Sequence, residues 1–245
     1  MAEYDRQTLG ARAGSAAAID EGLRSYMLRV YNYMGLGLVV TGVVAYFTSQ
    51  WAMSSQANAE LLYGSPLAWV IMLSPLAFVL VLSFGINKLS VGAAQAVFWA
   101  FAAVMGLSLS SIFLVYTGAS IAKVFFITAA TFGAMSLYGY TTKRDLTGMG
   151  NFLMMGLIGI IIASVVNIFL QSAAVQFMVS ILGVLIFCGL TAFDTQRIKN
   201  DYIEYSYAEG TDEAGKRSVM DALGLYLNFI NLFQFLLQFM GVRRD

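Results

Sequence analysis

The residue whose type and setting most directly imply chemistry is Asp194, which closes the apolar run from Phe177 to Phe193 and is followed by Thr195, Gln196 and Arg197. A carboxylate that deep in an apolar helix costs roughly 2.5–3.5 kcal/mol on insertion scales, so it is expected to face inward and to bind a proton or a cation there. A second polar set lies in the last apolar stretch. Projected at about 100° per residue, Asp221, Gly224, Asn228, Asn231, Gln234 and Gln238 fall within about 140° of one another, with Leu, Phe, Ile and Met opposite. Such a stripe is tolerated in a membrane only where other helices or water cover it, which places this helix at the centre of a bundle. For Asn231, Gln234 and Gln238, amides that tie helices together at about 0.6 kcal/mol per bond explain the pattern as well as a conducting path does.

The elements that must position these groups are membrane helices. Of the 245 residues, 59% are hydrophobic and only 11% charged, where a soluble domain spends about 25% on charge. Windows of about 20 apolar residues occur near 30–49, 66–86, 92–116, 120–139, 151–171, 174–196 and 219–241. The expected fold is an all-α integral membrane protein, a seven-transmembrane helix bundle with the last helix central. Residues 1–25 carry Arg6, Arg12, Asp20, Glu21 and Arg24 and no uninterrupted apolar core, so they read as a polar, partly disordered cytoplasmic arm ahead of a membrane domain over 26–245. Counting Lys and Arg in the connections puts the N-terminus inside, with eleven of the 14 on the cytoplasmic side and Lys123, Arg243 and Arg244 outside. That places the C-terminus outside. The connection 197–218 is mixed in sign and reads as a solvated loop.

Several chemistries lack residues. There is no histidine, hence no imidazole base and no His metal ligand, and the single Cys188 rules out an internal disulfide. No Gly-x-Gly-Asp partners Asp194 for aspartyl proteolysis, and no lysine in 219–241 could hold retinal. No phosphate-binding Gly loop and no concentrated basic patch is present, so nucleotide and nucleic acid are not expected ligands. An enzyme is not expected, nor a cofactor. Gly35-x-Gly37, Gly156-x-x-Gly159 and Ser108-x-Ser110-Ser111 read as close helix packing, and Pro75 as a kink or a freed carbonyl. Asn87 and the Asn167–Gln171 region read as end-of-helix polar residues.

Phe193-Asp194-Thr195-Gln196, Leu225-Tyr226-Leu227-Asn228-Phe229-Ile230-Asn231-Leu232-Phe233 and the turn Thr141-Thr142-Lys143-Arg144-Asp145-Leu146 together resemble the bacterial branch of the Bax inhibitor-1, or transmembrane Bax inhibitor motif, family. The resemblance covers roughly residues 25 to 241. It implies a last helix wrapped by the other six and a slow, pH-sensitive calcium leak. In that leak two aspartates, one from each of the last two spans, share a proton and set open against closed. Asp194 matches the first; the place of the second is taken by Asn228. Two carboxylates in contact cannot both ionise easily, whereas an Asp–Asn pair has one titrating group and an amide that donates to it. The expectation is a preserved closed contact with a pH response blunted or moved acidic.

Asp194 and Asn228 are thus the expected gate, with Asp221, Asn231, Gln196 and Arg197 along or beside the path. Calcium wants six to eight oxygens, and the spans offer Asp194, Asp221 and mainly neutral donors, so coordination at Asp194 would be weak and transient. The leading expectation is a calcium or general cation leak in a cell inner membrane, with Ca2+ as permeant ion and the lipid bilayer as its surroundings. The alternative is a non-transporting regulator that binds a membrane protease or a stress-response complex; a proton-coupled transporter would want more acids in the spans.

Overall fold

The computed structural model describes residues 2–205 and 211–244, with side chains described from Ile19 and again from Asp212. In chain order the α-helices are α1 (Ala2–Met53), α2 (Gln56–Ala59), α3 (Leu67–Gly85), α4 (Val91–Leu109), α5 (Ile112–Val115), α6 (Gly118–Thr141), α7 (Thr147–Leu170), α8 (Ala173–Tyr205) and α9 (Thr211–Met240). Seven helical stretches are long and apolar enough to cross a membrane: Ile19–Met53, Leu67–Lys88, Val91–Val115, Gly118–Thr141, Thr147–Leu170, Ala173–Tyr205 and Asp212–Met240. The seven expected spans are all present.

Their lengths differ from expectation at the end where α1 begins, called proximal below. The sixth span does not stop at residue 196: α8 continues to Tyr205 and α9 starts at Thr211, so most of the expected loop 197–218 is helix. The apolar window ends where charge appears, but nothing in Arg197 to Tyr205 breaks a helix, and the chain keeps its hydrogen bonds as it leaves the lipid. The expected arm, 1–25, lies mostly outside the described side chains. Its residues 19–25 are helical, with Leu23 buried.

Local sequence explains the breaks. Ser90 and Thr117 cap α4 and α6, their hydroxyls accepting from the Ala93 and Ser120 amides at 3.2 and 3.3 Å. Gln171, at φ 48°, ends α7 in the left-handed region, and Asn167 Oδ1 accepts from the Ser172 amide at 3.0 Å, so Asn167 and Gln171 do serve the helix end. Asn87 sits in a single 3₁₀ turn, Ile86–Lys88. Pro75 lies inside α3 and cannot donate to the carbonyl of Ile71; the Ser74 hydroxyl donates to that oxygen instead, at 2.9 Å.

α9 is the central helix. Of its crossing window 56% is buried, against 6% for α7. α8, α1, α6 and α4 pack on it directly, while α3 leans on α4 and α7 on α8 as outer flanks. Four helices rather than six therefore form the wrap. Glycines permit the closest crossings: a Cβ on Gly139 would strike the Ala192 carbonyl of α8, and one on Gly106 would lie 2.7 Å from the Thr41 carbonyl of α1. At the far, distal end the chain turns back, with Thr117 N donating to Val242 O at 3.1 Å and Arg244 N to Val115 O at 2.9 Å. Arg243 and Arg244 thus sit at the distal end, and α9 crosses fully instead of re-entering. One seam is only lightly packed: α1 and α6 both rest on α9, and the hydrogen bond between Tyr31 and Ser136 joins them across it.

Candidate functional site

The α8–α9 interface carries the two carboxylates most withdrawn from the surface of the spans, Asp194 and Asp221. Asp194 projects from α8 toward α9 and is only 14% exposed. Its Oδ2 accepts from Asn228 Nδ2 at 2.6 Å, and its Oδ1 lies 3.1 Å from an Arg197 guanidinium nitrogen one turn further along α8. Both oxygens are engaged, one by a neutral amide and one by a guanidinium, so neither is left without a donor. Asn228 lies twelve positions before Met240, about 18 Å along the helix, so the contact sits near the middle of α9 rather than at a membrane surface.

The second carboxylate, Asp221, lies two turns toward the proximal end on the same face. It is buried, and Tyr26 of α1 donates its phenol to Asp221 Oδ2 at 2.6 Å. The Tyr26 ring in turn meets the Tyr202 ring of α8 at 5.0 Å, which joins three helices around one acid. Arg197 and Arg217 are close enough to Asp221 to attract its charge, and Asp201 to repel it. Gly224 lies between Asp221 and Asn228 on α9, and a Cβ there would come within 4.0 Å of the Arg197 guanidinium. Arg197 therefore spans the ground between Asp194 and Asp221, with its own side chain 45% exposed toward the proximal end.

Two of the expected path residues do other work. Gln196 is buried and faces away from the seam, accepting from the Leu146 amide at 2.8 Å and donating to the Arg144 carbonyl at 2.7 Å. It clamps the α6–α7 turn to α8. Lys199 adds to that clamp by donating to the Tyr140 carbonyl at 2.8 Å. Asn231 donates to Leu227 O of its own helix at 2.8 Å. Of the polar stripe, Asp221 and Asn228 bond across helices, and Gln238 is exposed at the distal end.

Toward the distal end the same interface turns apolar. Phe187 of α8 and Phe235 of α9 stack at 5.8 Å and 25°. Phe235 lies so close to Gly183 that a Cβ there would approach the ring at 2.5 Å. The charged site is thus open to the proximal side through the half-exposed Arg197 and shut on the distal side by rings. Among the described residues no group of three or more Asp, Glu, Cys or His side chains gathers to hold a metal ion. A cation reaching Asp194 would complete its shell with amide, hydroxyl and carbonyl oxygens.

Two connections around the site went unforeseen. Thr195, next to Asp194, donates to Thr191 O at 2.8 Å and accepts from Ser136 of α6 at 2.9 Å, leaving Tyr31 of α1 as donor to Ser136. On α9, the fully buried Tyr226 donates to Thr41 Oγ1 at 2.6 Å, and Thr41 donates to Ala102 O of α4 at 2.8 Å. Hydroxyls in apolar runs carry no periodic signal of their own; what they hinted at was the cost of leaving them unpaired in lipid.

The family model described as inhibitor of apoptosis-promoting Bax1 matches residues 23–245. The chain belongs to the Bax inhibitor-1 family. Among the relatives of this Bax inhibitor-1 protein is RP147 of Rickettsia prowazekii, 50% identical over 227 residues, which cover 92% of this chain and 93% of the relative. The inner membrane protein YbhL of Escherichia coli is 48% identical over 234 residues, 95% of this chain and 98% of its own. A membrane protein of Streptococcus pyogenes is 34% identical over 227 residues, 91% and 94% of the two chains. The Bax inhibitor-1 protein described here is therefore a membrane protein of that family along nearly its whole length.

Proposed function

We propose that this protein is a slow cation leak, with calcium as the permeant ion, gated where Asn228 meets Asp194. The observation that carries the reading is the 2.6 Å bond from Asn228 to Asp194 Oδ2 in the middle of the central helix. It joins the two helices at the one carboxylate that Arg197 leaves partly open to the proximal side. An entering cation would compete with Arg197 for Asp194, and passage would require the Phe187–Phe235 stack to part; in this reading the arrangement is the closed state. The absence of a three-acid cluster among the described residues suits a weak, transient ion site better than a storage site. No catalytic step enters this reading, and no resident cofactor.

Because Asn228 does not titrate, the pair carries a single ionisable group, and the pH response of the gate is blunt. The proximal end faces the cytoplasm in this reading, since eleven of the 14 Lys and Arg fall on that side. Calcium flux into proteoliposomes of the unchanged protein, Asp194→Asn and Asn228→Asp across about pH 5 to 8 tests the reading. Flux that falls on Asp194→Asn and gains steep pH control on Asn228→Asp is the expected result. Flux absent from every variant would replace the leak by a non-transporting role, binding a membrane protease or stress-response complex.

A further inference from the structure

The seam between α1 and α6 holds a chain of cavities that the bundle does not use. The proximal one, about 600 Å³, is bounded by Asp20, Arg24 and Tyr31 of α1 and by Gly133 and Tyr140 of α6. The next, about 510 Å³, shares Met34 and Phe132 with it and runs along Gly35, Val39 and Gly42. The distal one, about 280 Å³, is floored by Phe229, Ile230 and Phe233 of the central helix. From Asp20 to Ala45 α1 rises about 38 Å, more than the roughly 30 Å of a bilayer's hydrocarbon core. The groove therefore runs the depth of the membrane between α1 and α6, with the buried Phe229, Ile230 and Phe233 of α9 at the bottom of its distal part.

Its glycines differ from those that make helix crossings. Gly37, Gly106 and Gly139 have neighbours where a Cβ would stand; Gly35, Gly42 and Gly133 have nothing within 4 Å. The walls also change along their length. The middle cavity is lined by apolar residues alone, whereas the proximal mouth carries an acid and a base, Asp20 and Arg24, both exposed and one helical turn apart. Spacing of four residues suits an ion pair, yet among the described residues no ion pair joins them. A mouth with one unpaired carboxylate and one unpaired guanidinium, above an apolar trough, complements a headgroup that carries one phosphate and one ammonium.

We propose that the α1–α6 seam is a phospholipid site for the proximal leaflet, with the phosphate on Arg24, the ammonium on Asp20 and an acyl chain laid over Gly133 and Gly35 toward Phe229. The class it fits is phosphatidylethanolamine. Its ammonium has N–H donors for the Asp20 carboxylate; a choline headgroup has none, and a glycerol headgroup leaves net negative charge beside Asp20. A partner's membrane helix fits less well, because it would bury the Asp20–Arg24 mouth without supplying the matched charges. The site also touches the machinery: Tyr31, on its wall, bonds to Ser136 and through it to Thr195 beside Asp194. Lipid occupancy and ion passage are separate questions, so the site stands whether or not the protein conducts.

Native mass spectrometry of the full chain in detergent, titrated with phosphatidylethanolamine, phosphatidylcholine and phosphatidylglycerol of identical acyl chains, tests the site. The expected result is one phosphatidylethanolamine per chain, held about tenfold more tightly than the other two. Arg24→Gln and Asp20→Asn should abolish the preference. Gly35→Leu and Gly133→Leu fill the groove and should lower affinity about tenfold, while Gly85→Leu, which also enters open space but on α3, should not. Thermal unfolding in the same detergent identifies any variant that has failed to fold. Equal binding in the seam variants and Gly85→Leu, or binding indifferent to headgroup, would overturn the proposal. So would a second protein chain that co-purifies with the unchanged protein and is lost on Gly35→Leu.

Discussion

The two halves of the α8–α9 interface are built on opposite principles. The proximal half is held by polar contacts of defined direction: Asn228 and Arg197 on Asp194, and Tyr26 on Asp221. The distal half is held by shape alone, with Phe235 laid on Gly183 and stacked on Phe187. Directional contacts have discrete alternatives, since a carboxylate can exchange Arg197 or Asn228 for a cation or a proton. Ring packing has no such partner to exchange, and yields only when helices move apart. If the protein conducts as proposed, the first is its chemical sensor and the second, in series with it, its mechanical seal.

The largest effects are expected from the seal. Phe235→Ala removes the ring that fills the Gly183 notch and should cost up to about 3 kcal/mol of stability, below the fully buried case because Phe235 is half-buried. In proteoliposomes the same change should raise cation flux about tenfold at every pH, because it acts after the charged site; a tenfold change corresponds to 1.4 kcal/mol of barrier. Unaltered flux in a folded Phe235→Ala protein would show that the rings do not close the route. In the sensor half, Asn228→Leu takes away the amide that donates to Asp194 Oδ2. Losing a bond to a buried charged group costs about 1–3 kcal/mol, readable as a lower unfolding temperature. Asn228→Asp, in contrast, should keep the contact at acidic pH and weaken it as both acids ionise.

A smaller change separates the two acids from each other. Tyr26→Phe deletes the phenol that serves Asp221 while keeping the ring on Tyr202, and should cost about 1 kcal/mol. Flux at neutral pH should stay within about twofold, since Asp194 keeps both of its partners. If Tyr26→Phe instead matches Asn228→Leu in flux, the two acids act as one unit and the division between them fails.

Much of this arrangement could be read from residue order, and the remainder has identifiable reasons for staying hidden. Asp194 and the Asp221-to-Gln238 stripe stood out because charge and amides in apolar helices are costly, and periodicity placed them on one face. The Arg197 pair with Asp194 follows the three-residue spacing of a helix surface. Tyr26 did not stand out, because it precedes the apolar window that began near residue 30, and helices run past the lipid boundary wherever nothing breaks them. Gln196 looked like part of the path because it neighbours the acids in sequence, yet two positions along a helix turns a side chain by about 200°, away from the seam. The lightly packed α1–α6 seam lies beyond any reading of single helices, since it depends on how closely pairs of helices approach.

The α6–α7 turn provides the last and mildest test, at a place where a titrating group serves structure and not the gate. Asp145 lies outside the spans and accepts from the Thr147 amide through Oδ1 at 2.9 Å, fixing the start of α7. That bond, with a side-chain bond to Thr147 as the larger cause, holds its carboxyl below the ordinary value of 3.8. A group lowered on folding binds its proton more readily in the unfolded chain, so its contribution is complete above pH 3.8 and disappears as pH falls through the lowered value. Asp145→Ala should therefore lower the unfolding temperature slightly at neutral pH, and that difference should shrink as pH falls below 3.8 through the lowered value. Flux should not change at any pH. A pH-dependent flux change on Asp145→Ala would place a sensor at this turn and move the control of the gate out of the α8–α9 interface, which the clamp of Gln196 on Arg144 and Leu146 would then transmit to Asp194.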